Sequence, residues 1–181
     1  MPRLDRDTVL RAGLAVADES GLDAVSVRRV AARLGVTPMA LYRHVAGKDD
    51  LLDGMADLLY EELGVPAQGG DWWEELAELA RSTRRILLRH PEAAPLFSRP
   101  LSGPHSLRVG EALCATLERA GFYPREVEEL HGQLSGMVFA LIAPELHPGP
   151  KRGRRARDAA FERGIELVHA GLVERLGQGR Q

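Results

Sequence analysis

Apolar residues recur along almost the whole chain at steps of three and four, the spacing of a helix that buries one face. Val27, Val30, Ala31 and Leu34 follow it after Ser26, a residue suited to cap a helix start. Gly35 stands where a helix end needs a left-handed residue. Thr37 then offers a second cap and Pro38 a second start, because proline at the first helical position gives up no helix hydrogen bond. On this second helix Leu41 and Val45 share one face, while Met39, Ala40 and Arg43 project from the other. A stop and a restart within three residues predict two short helices bent around a tight turn.

The same reading extends to both sides. Asp5 or Asp7 caps a helix to about Ser20, with Leu10, Leu14 and Ala17 inward and Gly21 as its stop. Leu51, Leu52, Met55, Leu58, Leu59 and Leu63 predict a helix ending at Gly64. Val65 to Gly70, with one proline and two glycines, reads as a linker. Asp71 caps a helix to about Arg89, whose apolar side is Trp72, Leu76, Leu79, Ala80, Thr83, Ile86 and Leu87. Pro91 opens a short turn containing Leu96 and Phe97, which Pro100 to Pro104 interrupts, and Leu107, Leu113, Cys114 and Leu117 belong to a helix closed by Gly121. Pro124 begins a helix to about Ala143 with a seam of Val127, Leu130, Leu134, Val138 and Leu141, where Ser135 and Gly136 would admit another helix. Pro144 to Gly153 reads as a loop, and Phe161, Ile165, Val168, Leu172 and Leu176 stripe a last helix from about Arg155 to Leu176. With no strand alternation, the expected fold is all-α: a three-helix head (1–48), a connecting helix (49–64) and a helical body (71–181).

Charge gives the two parts different roles. The formal total is −2, yet residues 1–48 hold eight Lys or Arg against five Asp or Glu, a net +3, while residues 49–150 hold eight against seventeen, a net −9. The remaining 31 residues hold eight against four, a net +4. A positive head on an acidic body suits a protein whose head alone approaches phosphates. The basic run Lys151 to Arg157 reads as a solvated loop. A charged N-terminus, MPRLDRD, and the lack of any apolar run near the roughly 18 residues of a membrane span predict a cytoplasmic protein. The single Cys114 fits a reducing compartment and reads as a buried small hydrophobe.

Chemistry gathers around the helix pair. Tyr42 and His44 flank the projecting face, Lys48 follows Gly47, and Arg28 and Arg29 open the preceding helix. This is a helix-turn-helix whose second helix can enter a major groove while neighbouring donors hold phosphates. Helix pairs with glycine turns occur in many α-helical proteins. The capped restart and the Tyr-x-His pair followed by lysine set this one apart.

The run S-V-R-x-V-A-x-x-x-G-V-T-x-x-x-L-Y-x-H-V-x-x-K-x-x-L, from Ser26 to Leu51, resembles the signature of the tetracycline-repressor (TetR) family of transcription regulators. The resemblance implies DNA contacts at Ser26, Arg28, Thr37, Pro38, Met39, Ala40, Tyr42, Arg43, His44 and Lys48, of which Met39, Ala40 and Arg43 vary with operator sequence. HPEAAPLF, LERAGFYPREVEELHGQLSGMVFA and FERGIELVHAGL resemble the family's C-terminal regulatory domain. This implies a homodimer joined through 124–143 and 155–176 on a palindromic double-stranded operator, most often a repressor released by a small effector. Trp72 with Trp73, Phe97, His105, His131, Met137 and Phe139 are candidates to line the effector site. No residue set matches the magnesium–tetracycline site of the founding member, and neither metal nor cofactor is expected.

An enzyme reading has one foothold. Glu128-x-x-His131 and Glu166-x-x-His169 repeat the spacing of di-iron bundle oxidases, although Glu128 lies off its helix's apolar seam. No nucleophile elbow, phosphate loop, HExxH or CxxC is present.

Overall fold

The computed structural model describes residues 4–146 and 153–178. Among them every regular element is a helix: α1 (Arg6–Ser20), α2 (Val27–Leu34), α3 (Pro38–Leu41), α4 (Lys48–Leu63), α5 (Trp72–Arg89), α6 (Pro104–Ala120), α7 (Pro124–Leu146) and α8 (Arg154–Gln178). Short 3-10 segments at Leu22–Ala24 and Pro91–Ser98 complete the set. No helix among the described residues is long and apolar enough to cross a membrane.

The residues group into two compact units: the chain up to Gly64 with Arg89–Arg108, and Val65–Leu88 with the chain from Val109 onward. The divisions fall after Gly64, inside α5 after Leu88, and inside α6 after Arg108.

In the first unit the sequence signals act as expected at most helix ends. Asp5 Oδ1 accepts from the Thr8 N–H at 2.9 Å, and Ser26 Oγ accepts from the Arg29 N–H at 3.2 Å. Gly35 takes the left-handed conformation at φ 67°. Thr37 departs from expectation: it occupies the cap position of α3, but its side chain makes no capping hydrogen bond. The core joins Val9, Leu14 and Ala17 of α1, Val30 and Ala31 of α2, Leu41 and Val45 around α3, and Leu51, Met55 and Leu59 of α4, all at most 6% exposed. Burial of each Leu or Met contributes about 1.5–3 kcal/mol. Gly13 and Gly54 let α1 and α4 close together. A Cβ at Gly54 would stand 2.5 Å from Leu10 Cδ2, and one at Gly13 would stand 2.7 Å from Met55 Sδ.

The segment Arg89–Arg108 packs into this unit through a line of aspartates on α4. Asp53 accepts from Arg99 Nε at 2.6 Å, and Asp57 Oδ1 accepts the first-turn N–H groups of α6, from His105 at 3.0 Å and Ser106 at 2.8 Å. The Tyr60 and Phe97 rings meet at 4.9 Å, and burial pushes the Tyr60 hydroxyl up to about 12.

In the second unit the buried apolar residues are Leu76, Leu79, Ala80, Ile86 and Leu87 of α5, Leu113 and Leu117 of α6, Val127, Leu130 and Leu134 of α7, and Phe161, Ile165 and Leu172 of α8. α7 runs to Leu146, past the expected end at Ala143, with Pro144 inside its last turn. The ring deletes only one backbone donor there, and Ile142 (0% exposed) and the Glu145 carboxylate hold the extension against the unit. The rest of that expected loop, with Lys151 and Arg152, lies outside the described residues. Val138 and Leu141 are half-buried, so the seam shifts to Ile142 near its end. Cys114 is likewise half-buried, and burial raises its thiol pKa.

The tight α1–α4 crossing yields a direct expectation. Gly54→Val should destabilise the first unit by about 1–3 kcal/mol, because Leu10 is itself enclosed and has nowhere to move. A lowered urea midpoint at unchanged slope checks this; an unchanged midpoint would contradict the crossing.

Candidate nucleic-acid interface

The short helix α3 buries one side and presents the other to solvent. Only four residues are regular α-helix, but Tyr42 N–H to Pro38 O (3.3 Å), His44 N–H to Leu41 O (2.8 Å) and Val45 N–H to Leu41 O (3.0 Å) carry the coil onward through a turn. Leu41 and Val45, at 0% and 1% exposure, anchor the inner side. Met39, at 74%, and Tyr42, at 52%, stand out from the unit. Thr37, Pro38 and Arg43 are exposed, while Ala40 and His44 are half-buried.

So short a helix needs an external brace. Arg6, at the start of α1, places Nη2 2.6 Å from Asp50 Oδ1 and Nη1 3.2 Å from Asp50 Oδ2, and Nη1 also donates to the His44 carbonyl at 2.5 Å. Asp50, in the first turn of α4, accepts the Ala46 N–H on Oδ2 at 2.7 Å. The two side chains thus hold a carbonyl and an N–H just past the end of α3. The Arg6 hydrogen bonds hold the Asp50 carboxyl below the usual carboxylate range, helped by the Ala46 N–H, and Arg6 is pushed upward in return. Sequence reasoning missed this pair. The acidic first turn of α4 was visible, but no spacing ties Asp50 to an arginine 44 residues earlier.

The head's cations divide into two groups. Arg33 is held by Glu19 at 2.6 and 2.9 Å, Arg29 donates to Ser20 Oγ at 2.7 Å, and Arg11 pairs with Asp7 at 2.8 Å. Arg28, Arg43 and Lys48 are exposed and have no ion pair or hydrogen bond among the described residues. The unpaired group therefore falls within the set expected from sequence, whereas Arg29, adjacent to Arg28, serves the fold. Ser26, half-buried, uses an oxygen lone pair on the Arg29 N–H and keeps its O–H to donate. Exposed cations around a projecting, anchored helix suit phosphates on either side of a groove-reading edge.

The effector candidates are spread between the units. Phe97 and His105 belong to the first; Trp72, Trp73, His131, Met137 and Phe139 belong to the second. Trp72 meets Trp73 (6.1 Å), Phe122 (6.5 Å) and His169 (5.7 Å). His131 and Phe139 are half-buried on α7, and Met137 is 48% exposed. Of the Glu-x-x-His residues, Glu128 and Glu166 are exposed and His169 stacks on Trp73 at 4.3 Å. Among the described residues no three His, Cys, Asp or Glu side chains come together to hold a metal ion.

Two family models match the chain: bacterial regulatory proteins of the tetR family over residues 9–55, and the tetracyclin repressor-like C-terminal domain over residues 65–131. An HTH-type transcriptional regulator of Saccharopolyspora erythraea is 35% identical over 80% of the chain, and the chain spans 62% of that relative's length. The class C tetracycline repressor of Escherichia coli is 31% identical over 95% of the chain and 92% of its own length. Among solved structures, ActR of Streptomyces coelicolor in complex with actinorhodin superposes with a TM-score of 0.84 at 28% identity, covering 99% of this chain and 100% of that one. BioQ with its double-stranded DNA operator gives 0.76 at 28% identity, covering 94% of this chain and 98% of that one.

The brace around α3 carries a pH dependence with a fixed sign. The carboxyl of Asp50 titrates lower in the folded head than in the unfolded chain, where it lies near 3.8. Its contribution is therefore complete above that value and is lost as pH falls through the lower folded value. Asp50→Asn should remove that part of the acid limb of a stability curve and increase amide exchange at His44 to Ala46. Exchange equal to wild type at pH 6 would show that the brace is idle.

Proposed function

Because the chain belongs to the tetR family of bacterial regulatory proteins, we propose that it is a ligand-responsive transcriptional repressor that binds a palindromic double-stranded operator as a homodimer. The observation that carries the reading is the head itself: an exposed helical edge, locked from behind by Leu41, Val45 and the Arg6–Asp50 brace, with the unpaired Arg28, Arg43 and Lys48 around it. In this reading Met39, Ala40 and Arg43 face base edges, while Ser26, Arg28, Thr37, Pro38, Tyr42, His44 and Lys48 position the helix on the backbone. The protein acts in the cytoplasm and catalyses no reaction.

Pairing follows from selectivity, because one head reads too few base pairs to pick out a site in a genome, while two heads on a two-fold axis double the footprint. The outer sides of α7 and α8 support it. Leu167 is 76% exposed and Val173 49%, and a Cβ at Gly132, Gly136 or Gly171 would meet no atom within 4 Å. A small amphipathic effector enters among the helices of residues 71–181, with Trp72 and its aromatic neighbours as leading candidates, and favours the arrangement of heads that does not fit DNA. The actinorhodin complex of ActR and the operator complex of BioQ are precedents for the two binding events.

Two outcomes follow. Lys48→Ala should lower the slope of log affinity against log salt by about one and weaken all duplexes alike, whereas Arg43→Ala should cost about 1–3 kcal/mol on the cognate operator and relax preference at its base. Equal losses on cognate and random duplex for both variants, in fluorescence-anisotropy titrations, would reject this division. Leu167→Glu should yield a monomer by light scattering at micromolar concentration, and an unchanged mass would move the dimer interface elsewhere.

A further inference from the structure

One cleft of the second unit belongs to none of these roles. It has a volume of about 390 Å³ and is lined by Arg81, Arg84, Arg85 and Leu88 of α5, Glu145 of α7, and Arg154, Arg157, Asp158 and Glu162 of α8. The spacing explains the convergence: 81, 84, 85 and 88 form one stripe of α5, and 154, 157, 158 and 162 form one stripe of α8. Five guanidinium groups thus meet three carboxylates around a space within the usual size range of small-molecule sites.

The ion pairs are unequal. Arg84, with 14% of its side chain exposed, is saturated: it reaches Glu145 at 2.7 and 2.9 Å and Asp158 at 2.8 Å, and lies 4.9 Å from the centre of the Phe161 ring. Arg81 is taken by Glu162 at 3.0 Å. Three guanidinium groups remain loosely held. Arg85 is 61% exposed and tied only along its own helix, to Glu78 at 3.0 Å and Ser82 at 2.6 Å. Arg154 is 90% exposed and 3.9 Å from Asp158. Arg157 has an Nε shut off from solvent that makes no hydrogen bond, with Glu145 Oε2 4.0 Å away. Exposed or long pairs of this kind hold little energy, so an incoming anion can take these donors without disturbing the Arg84 core. Guanidinium forks match the geometry of carboxylate and phosphate oxygens.

We infer that this cleft binds a compact, multiply charged oxyanion, held by Arg85, Arg154 and Arg157 over the fixed Arg84–Glu145–Asp158 base. It is independent of the DNA-binding head and differs in chemistry from an aromatic-lined effector site. On the α8 wheel its residues lie away from Leu167, the most exposed large apolar side chain of that helix.

The test uses the full chain, titrated with inorganic phosphate or citrate at constant ionic strength against chloride, followed by thermal unfolding and calorimetry. Either anion should raise the midpoint by at least about 3 °C and saturate. The Arg85→Gln/Arg154→Gln double variant, altered only at exposed side chains, should lose the shift together with Arg157→Gln. Arg163→Gln, on the exposed side of α8, should keep it. A response to citrate alone assigns polycarboxylates, and a response to phosphate alone assigns phosphates. No shift beyond chloride, or a shift that survives in the double variant, overturns the site.

Discussion

A helix of four residues cannot keep its own shape in water, since nucleation costs more than one turn of hydrogen bonds returns. The segment α3 therefore takes its shape from neighbours far away in sequence, and the Arg6–Asp50 brace is the interaction that fixes where it ends. Its two partners come from helices on either side of α3 in the chain, and together they occupy the His44 carbonyl and the Ala46 N–H. From inside, Leu41 and Val45 fix the depth. The exposed edge is then a rigid surface although little of it is regular secondary structure.

The same logic runs down α4. Asp50, Asp53 and Asp57 fall on one face, and each holds a different element: the end of α3, Arg99, and the first turn of α6. Net charge treats these residues as part of an acidic background. In the folded unit they act as a spine along which α3 and the segment Arg89–Arg108 are registered.

The fold was legible where local chemistry decides the outcome. Asp5, Ser26, Gly35 and Pro38 act as their side chains predict, and the apolar spacing placed Leu41 and Met55 in the core. Reading failed where tertiary contacts override local preference. Thr37 sits at a cap without capping, and Pro144 is carried inside α7 because Ile142 and Glu145 pack beyond what the proline takes away. The candidate interface could be named by residue, but not the reason Arg28 is unpaired while Arg29 is occupied: that depends on Ser20 lying within reach of only one of them. The five-arginine cleft was invisible, since its stripes are about seventy residues apart and each alone looks like a solvated helix face.

Because Leu41, Val45, Arg6 and Asp50 bear the task of holding α3, the outward side chains carry almost none of it. Met39 and Arg43 can be exchanged at negligible cost to folding, as substitutions on an exposed surface generally can. In the proposed DNA-binding role, such a head acquires a new target sequence by drifting at its outer positions alone, without first losing and regaining a stable scaffold.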